Sequence, residues 1–185
     1  MRFLQRHRRG SDLRAMRRES RRRLASFGLP ESYDLMTLCD HLGDSRGRPV
    51  HLLPMPLDAS GPCGLWLAFS DADYVVYEQH TSRHHQEHII AHELAHMLCD
   101  HRSGSADSSR AVATLFPDLD PSLVRDLLCR DNYSDTQERE AEVMAFLLGE
   151  GLRSRPGTAA VETDGVVGRI RGSLDWRRGT GRDVT

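Results

Sequence analysis

The stretch from His84 to His101, HHQEHIIAHELAHMLCDH, constrains this chain more than any other. Ile89, Ile90, Leu94, Met97 and Leu98 recur at helical spacing, which predicts a core-facing helix with one polar, His-bearing side. On such a helix His92 and His96 stand one turn apart, so both rings can offer a nitrogen to a single ion. Glu93 is turned by about 100° from His92 and sits beside that ion rather than on it. A carboxylate there can take a proton from a water that the metal polarises, which is how an HExxH helix supports hydrolysis near neutral pH. With ten His and ten Glu in 185 residues, composition alone places this triple somewhere in roughly 3 of 100 such chains, so the apolar stripe around it carries part of the argument. A lone His in a core helix is more often hydrogen-bonded than ligating; the full triple on a buried helix reverses that preference. A competing pair, His88 and His92, has Ile89 at the base position and would bind an ion without activating water. His84 and His85 read as a polar helix start near a cleft mouth.

A catalytic zinc of this kind keeps three protein ligands and one open position, so a third ligand must come from elsewhere. The spacing of QEREAEVMAFLLG predicts a helix that buries Ala141, Met144, Ala145 and Leu148, opened by a capping box at Ser134 and Gln137 and ended by Gly149 or Gly151. It carries Glu138 and Glu142 four apart on one face, which costs about 0.2 to 0.5 kcal/mol in an isolated helix unless a positive charge lies near. Zn²⁺ would supply that charge. Glu138 shares its side with Ala141 and Ala145 and is assigned to the metal; Glu142 is assigned outside it, as the acceptor of a ligand histidine's N–H. Glu140 falls on the opposite face of the wheel. Without the HExxH helix, the glutamate pair would read as an ordinary solvated face.

Composition excludes several classes. A chain of 20.9 kDa can bury one ordinary core without staples. Cys39, Cys63, Cys99 and Cys129 form no CxxC pair, so they read as reduced thiols rather than a disulfide or Cys-type zinc framework. No apolar run approaches membrane-spanning length and no signal-peptide pattern is present, which makes the cytoplasm the expected compartment. A net charge of -2 gives no global attraction to nucleic acid. All 25 basic side chains are Arg, and ten of them fall in residues 1–23 against only Asp12 and Glu19. Such a basic arm could contact an acidic partner, but no recognition motif accompanies it, and a solvated helix or frayed end is the simpler reading.

Taken in order, residues 1–10 read as a disordered lead. Ser11 opens a helix bearing Leu13, Met16, Leu24 and Phe27 that stops at Gly28 and Pro30. A second helix starts from Asp34, buries Leu35, Leu38 and Leu42, and ends at Gly43. Extended segments at 50–57, 65–69 and 74–79 predict a small, mostly antiparallel sheet whose first strand, carrying Pro54 and Pro56, lies at an edge. After the His-bearing helix come a polar loop at 102–110, a short apolar piece at 111–116, and a helix from Asp120-Pro121 with Leu123, Leu127 and Leu128. The tail from 151 to 185 reads as mobile, with one short ordered piece near 166–170. The organisation expected is therefore a basic arm and helix (1–28), a catalytic domain (29–150) and the tail.

HHQEHIIAHELAHMLCDH followed by EREAEVMAFLL resembles the ImmA/IrrE family of zinc metallopeptidases, which pair an HExxH helix with a downstream ExxA[ND]xFA-like helix. The resemblance covers roughly residues 29–149, and the first motif carries most of its weight. It implies an α+β, zincin-like fold in which a small sheet packs on the active-site helix, with further helices on the C-terminal side. It also implies one catalytic Zn²⁺ and a narrow-specificity endopeptidase that cuts a helix-turn-helix repressor encoded nearby. Two departures stand out: Glu142 replaces the family's Asn or Asp, and Leu148-Gly149-Glu150 replaces its Leu-Met-Pro ending. The 41 residues between His96 and Glu138 leave room for an added segment over the cleft. For the oxyanion the candidates are His101, His88, Tyr77 and Tyr133. A competing function keeps the zinc fold but works as a non-catalytic regulator or toxin-antitoxin component through protein-protein binding; Glu93→Gln separates the two.

Overall fold

The computed structural model describes residues 2–57, 63–101, 124–128 and 133–152, with side chains left undescribed at 2–11 and 124–128. The elements are α1 (Arg2–Phe27), α2 (Leu35–Arg46), β1 (Val50–Met55), β2 (Gly64–Phe69), β3 (Asp73–Glu78), α3 (Arg83–Leu98), β4 (Val124–Leu128) and α4 (Asp135–Gly151). The expectations for 102–116 and for the tail from 153 lie outside the described residues.

The fold is α+β, built on a sheet of order β1-β3-β2-β4. β2 pairs antiparallel with both β3 and β4, but β1 runs parallel to β3, so the sheet is mixed rather than simply antiparallel. The reason is topological: β3 inserts between β1 and β2, and its direction, set by the turn after β2, matches that of β1. β1 lies at the edge, where Pro54 removes no ladder bond that the sheet needs. β2 is buried along its whole length, so both of its faces are covered.

α2 is capped by Asp34, whose side chain accepts from Thr37 N at 2.8 Å, and it ends at Gly47, not Gly43. Gly47 adopts φ 68°, the left-handed turn that glycine enters without strain, whereas Gly43 stays helical and buried. A Cβ on Gly43 would stand 3.2 Å from Arg48 O, so this glycine serves close approach rather than termination. The segment at 124–128 forms strand β4, not the helix that its leucine spacing predicts: pairing with β2 overrides a short helical pattern. α1 likewise starts at Arg2, so Ser11 lies inside the helix and does not cap it. Of its apolar residues Leu13 is exposed, while Leu24 and Phe27 pack on the core.

One cluster joins α2, one sheet face, α3 and α4: Leu38, Leu42, Val75, Ile90, Leu94, Met144 and Leu148 are among its fully buried members. A buried carboxylate ties the strands to the end of α2. Asp73 accepts from Arg46 Nε (2.9 Å), Arg48 Nε and Nη2 (2.7 and 2.8 Å) and Trp66 Nε1 (2.9 Å). Burial pushes its carboxyl up, but these hydrogen bonds and the charge of Arg46 pull it further down, to a net value below the ordinary one. Tyr33 clamps the other end of the molecule, donating its hydroxyl to Leu148 O at 2.9 Å and its backbone N–H to Gly151 O at 3.1 Å.

Candidate metal centre

Ser82 opens α3, its hydroxyl accepting from His85 N at 3.3 Å, and Arg83 pairs with Glu87 one turn on. Packing then fixes the rotation of the helix. Ile90, Ala91, Leu94, Ala95 and Met97 are buried, which turns His92 and His96 toward α4. α4 begins with the predicted capping box, Ser134 and Gln137 reciprocally bonded, and buries Ala141, Met144, Ala145 and Leu148 as its spacing requires. Ala91 and Ala95 on α3 and Ala141 and Ala145 on α4 are all buried in the core where the two helices pack together.

At this crossing three ligand-type groups converge. His92 Nε2 lies 3.1 Å from His96 Nε2 and 3.5 Å from Glu138 Oε2, and His96 Nε2 lies 3.7 Å from Glu138 Oε1. Ligand atoms placed tetrahedrally about 2.05 Å from one zinc stand about 3.4 Å apart, so the observed separations fit such an ion. The protonation states fit too. Burial pushes His96 down to about 3, helped by the neighbouring His92 and His101, and burial also lowers His92 against the opposing pull of Glu138 and Glu142. Both rings are thus neutral at physiological pH, each with a lone pair to offer. His92 Nδ1 lies 3.4 Å from Glu142 Oε2, so its N–H can donate there and leave Nε2 free. The Glu142 side chain is exposed and also comes within 3.8 Å of His88 Nε2.

Glu93 is buried beside this group and lines the same cavity, together with Cys63, Gly64, His88, Tyr133 and Glu138. Its wall partner is the start of β2. A Cβ on Gly64 would fall 2.6 Å from Ile89 Cγ2 and 2.8 Å from Glu93 Oε1, so only glycine lets the strand pass this close to the carboxylate.

Of the expected oxyanion candidates, Tyr133 and His88 line the cavity; Tyr77 and His101 do not. Tyr77 is buried in the core, and His101 lies behind His96, its Nδ1 3.0 Å from His96 Nδ1. Tyr133 covers His96 from the other side, the rings stacked with centroids 3.7 Å apart. Glu140 has partners that the sequence did not reveal. It lies off the cavity, on the opposite face of α4 from Glu138, and there it reaches His101 Nε2 (3.4 Å) and Arg23 Nη1 (3.5 Å). The helical wheel places it correctly relative to α4 alone; the turn after α3 and the end of α1 bring partners to that side. Cys99, also buried there, completes a group of three ligand-type side chains with His101 and Glu140.

No protein-family model, curated protein or solved structure matches the chain. Among the described residues no helix is long and apolar enough to cross a membrane.

Proposed function

We propose that the chain is a zinc-dependent endopeptidase of zincin-like design, in which His92, His96 and Glu138 hold one Zn²⁺ and Glu93 handles the proton of the attacking water. The observation that carries this reading is the convergence of those three groups in a cavity whose wall also holds the Glu93 carboxylate. When bound, zinc supplies Lewis acidity toward the scissile carbonyl. Glu93 takes the proton of the water as it attacks and then delivers that proton to the leaving amine. Gly64 keeps the strand clear of this carboxylate, and Tyr133 limits the freedom of the His96 ring.

The resemblance of both helices to the ImmA/IrrE pattern supports a helix-turn-helix repressor as the substrate. The test is incubation of the zinc-loaded protein with the repressor encoded beside its gene. A discrete cleavage product is expected with wild type, with loss of at least about 100-fold in rate for Glu93→Gln at unchanged zinc content. Equal cleavage by Glu93→Gln would refute the role of Glu93, and an intact repressor after incubation with wild type would refute the substrate.

A further inference from the structure

Behind His96, on the side away from the cavity, a line of polar groups runs through His101 and Glu140 to Arg23 of α1. We propose that His101 and Glu140, steadied by Arg23, are positioning residues that fix the tautomer and orientation of His96 so that its Nε2 lone pair faces the metal site. The proposal rests on the zinc reading above.

The argument follows the protons. His96 Nδ1 and His101 Nδ1 are 3.0 Å apart, so between neutral rings one nitrogen must donate and the other accept. If His101 donated, His96 would carry its proton on Nε2, aimed at His92 and Glu138, and could not ligate. In that arrangement His101 Nε2 would also present a lone pair to Glu140 Oε2 at 3.4 Å, setting two acceptors against each other. If His96 donates instead, His101 holds its proton on Nε2 and gives it to Glu140, and every contact pairs a donor with an acceptor. The carboxylate at the end of the line therefore selects the tautomer of His96 two residues away. Arg23 Nη1, 3.5 Å from Glu140 Oε1, holds the far oxygen of that carboxylate and leaves Oε2 toward His101. The geometry extends to a second histidine the carboxylate-histidine pairing that commonly orients zinc ligands.

The same side chains suggest a competing use, since Cys99, His101 and Glu140 could themselves take a metal. The two uses exclude each other. A cation there would need the His101 Nε2 lone pair, which moves the His101 proton to Nδ1 and reverses the line. Arg23 already supplies a positive charge to Glu140.

The experiment measures Zn²⁺ affinity by chelator competition, zinc stoichiometry, and the visible spectrum of the Co²⁺-substituted protein, on the full chain. His101→Leu should weaken zinc about 10- to 100-fold and alter the cobalt spectrum. His101→Asn, whose Oδ1 can replace Nδ1 as acceptor, should recover most of that loss, a rescue that a purely structural role does not predict. Because His101 is buried, melting curves in chelator establish folding, and Glu140→Leu against Glu140→Gln repeats the comparison at a half-buried position: the leucine should weaken zinc, the glutamine much less. Cys99→Ser should leave affinity and stoichiometry unchanged. Tight binding of one zinc with the same affinity in His101→Leu and Glu140→Leu would overturn the positioning role while leaving the zinc centre standing. Two zinc ions per wild-type chain, one of them lost in Cys99→Ser, would overturn it in favour of a second metal site. Absence of zinc from wild type would overturn both this proposal and the reading on which it rests.

Discussion

Asp73 and Gly64 show how single residues outside the proposed ligand set support the fold and the cavity wall. Asp73 is fully buried and bonded to two arginines and an indole, so Asp73→Ala should cost about 3 to 5 kcal/mol in chemical denaturation, leaving Arg46 and Arg48 without their carboxylate. Because its folded value is depressed, the stability contributed by Asp73 is fully present above the usual value of 3.8 and is lost as pH falls through the lower folded value. In Asp73→Asn that part of the acid limb should flatten. Gly64→Ala should destabilise by about 1 to 3 kcal/mol, since its methyl would overlap Ile89 Cγ2 and press on Glu93. If the displacement reaches the carboxylate, cleavage should fall further than zinc binding; a Gly64→Ala protein with wild-type melting temperature and activity would contradict the close approach. His92, Glu93 and His96 could be read from the sequence because their relation is a matter of spacing on one helix. Glu138 could be read by the same logic on a second helix. The contact of Glu140 with His101 spans 39 residues and depends on the turn after α3, where Asp100 adopts φ 50°, and no periodicity encodes that turn.

At the scale of elements, local rules succeeded where local interactions decide. The capping box at Ser134 and Gln137 forms as its spacing predicts, and Ser134→Ala should cost about 1 kcal/mol, measurable as a lower denaturation midpoint. The melting of α4 should then loosen Glu138, which lies in its first turn, so zinc affinity should fall slightly as well. The same rules failed where pairing or approach between elements decides. Leu123 and Leu127 stand at helical spacing, but residues 124–128 lie against the edge of β2, and a five-residue segment yields more backbone bonding to a sheet than to itself. Gly43 and Gly47 are both plausible terminators in sequence. Only the contact of Gly43 with the backbone of Arg48 and Pro49 separates them, and that contact exists after the turn has formed. The parallel pairing of β1 with β3 was hidden for a similar reason, since strand patterns carry no strand order.

For the whole molecule, the site sits at the junction of α3 and α4, and the surrounding layers hold that junction. α1 packs along α4 and sends Arg23 to Glu140 and Arg21 to Glu150, so at least part of the basic N-terminal segment belongs to the fold around the site. A ligand that bridges the two helices should stabilise the chain as a unit. At free zinc about 100 times its dissociation constant, linkage adds about 2.7 kcal/mol, which should raise the melting temperature by roughly 5 to 10 °C over protein in chelator. His92→Ala should lose this increment. The most direct test of the central claim is the zinc content of the purified protein and its variants. One zinc per chain is expected for wild type and for Glu93→Gln, with loss on changing His92, His96 or Glu138 to Ala. Wild type without zinc, or Glu138→Ala with full zinc, would contradict the account.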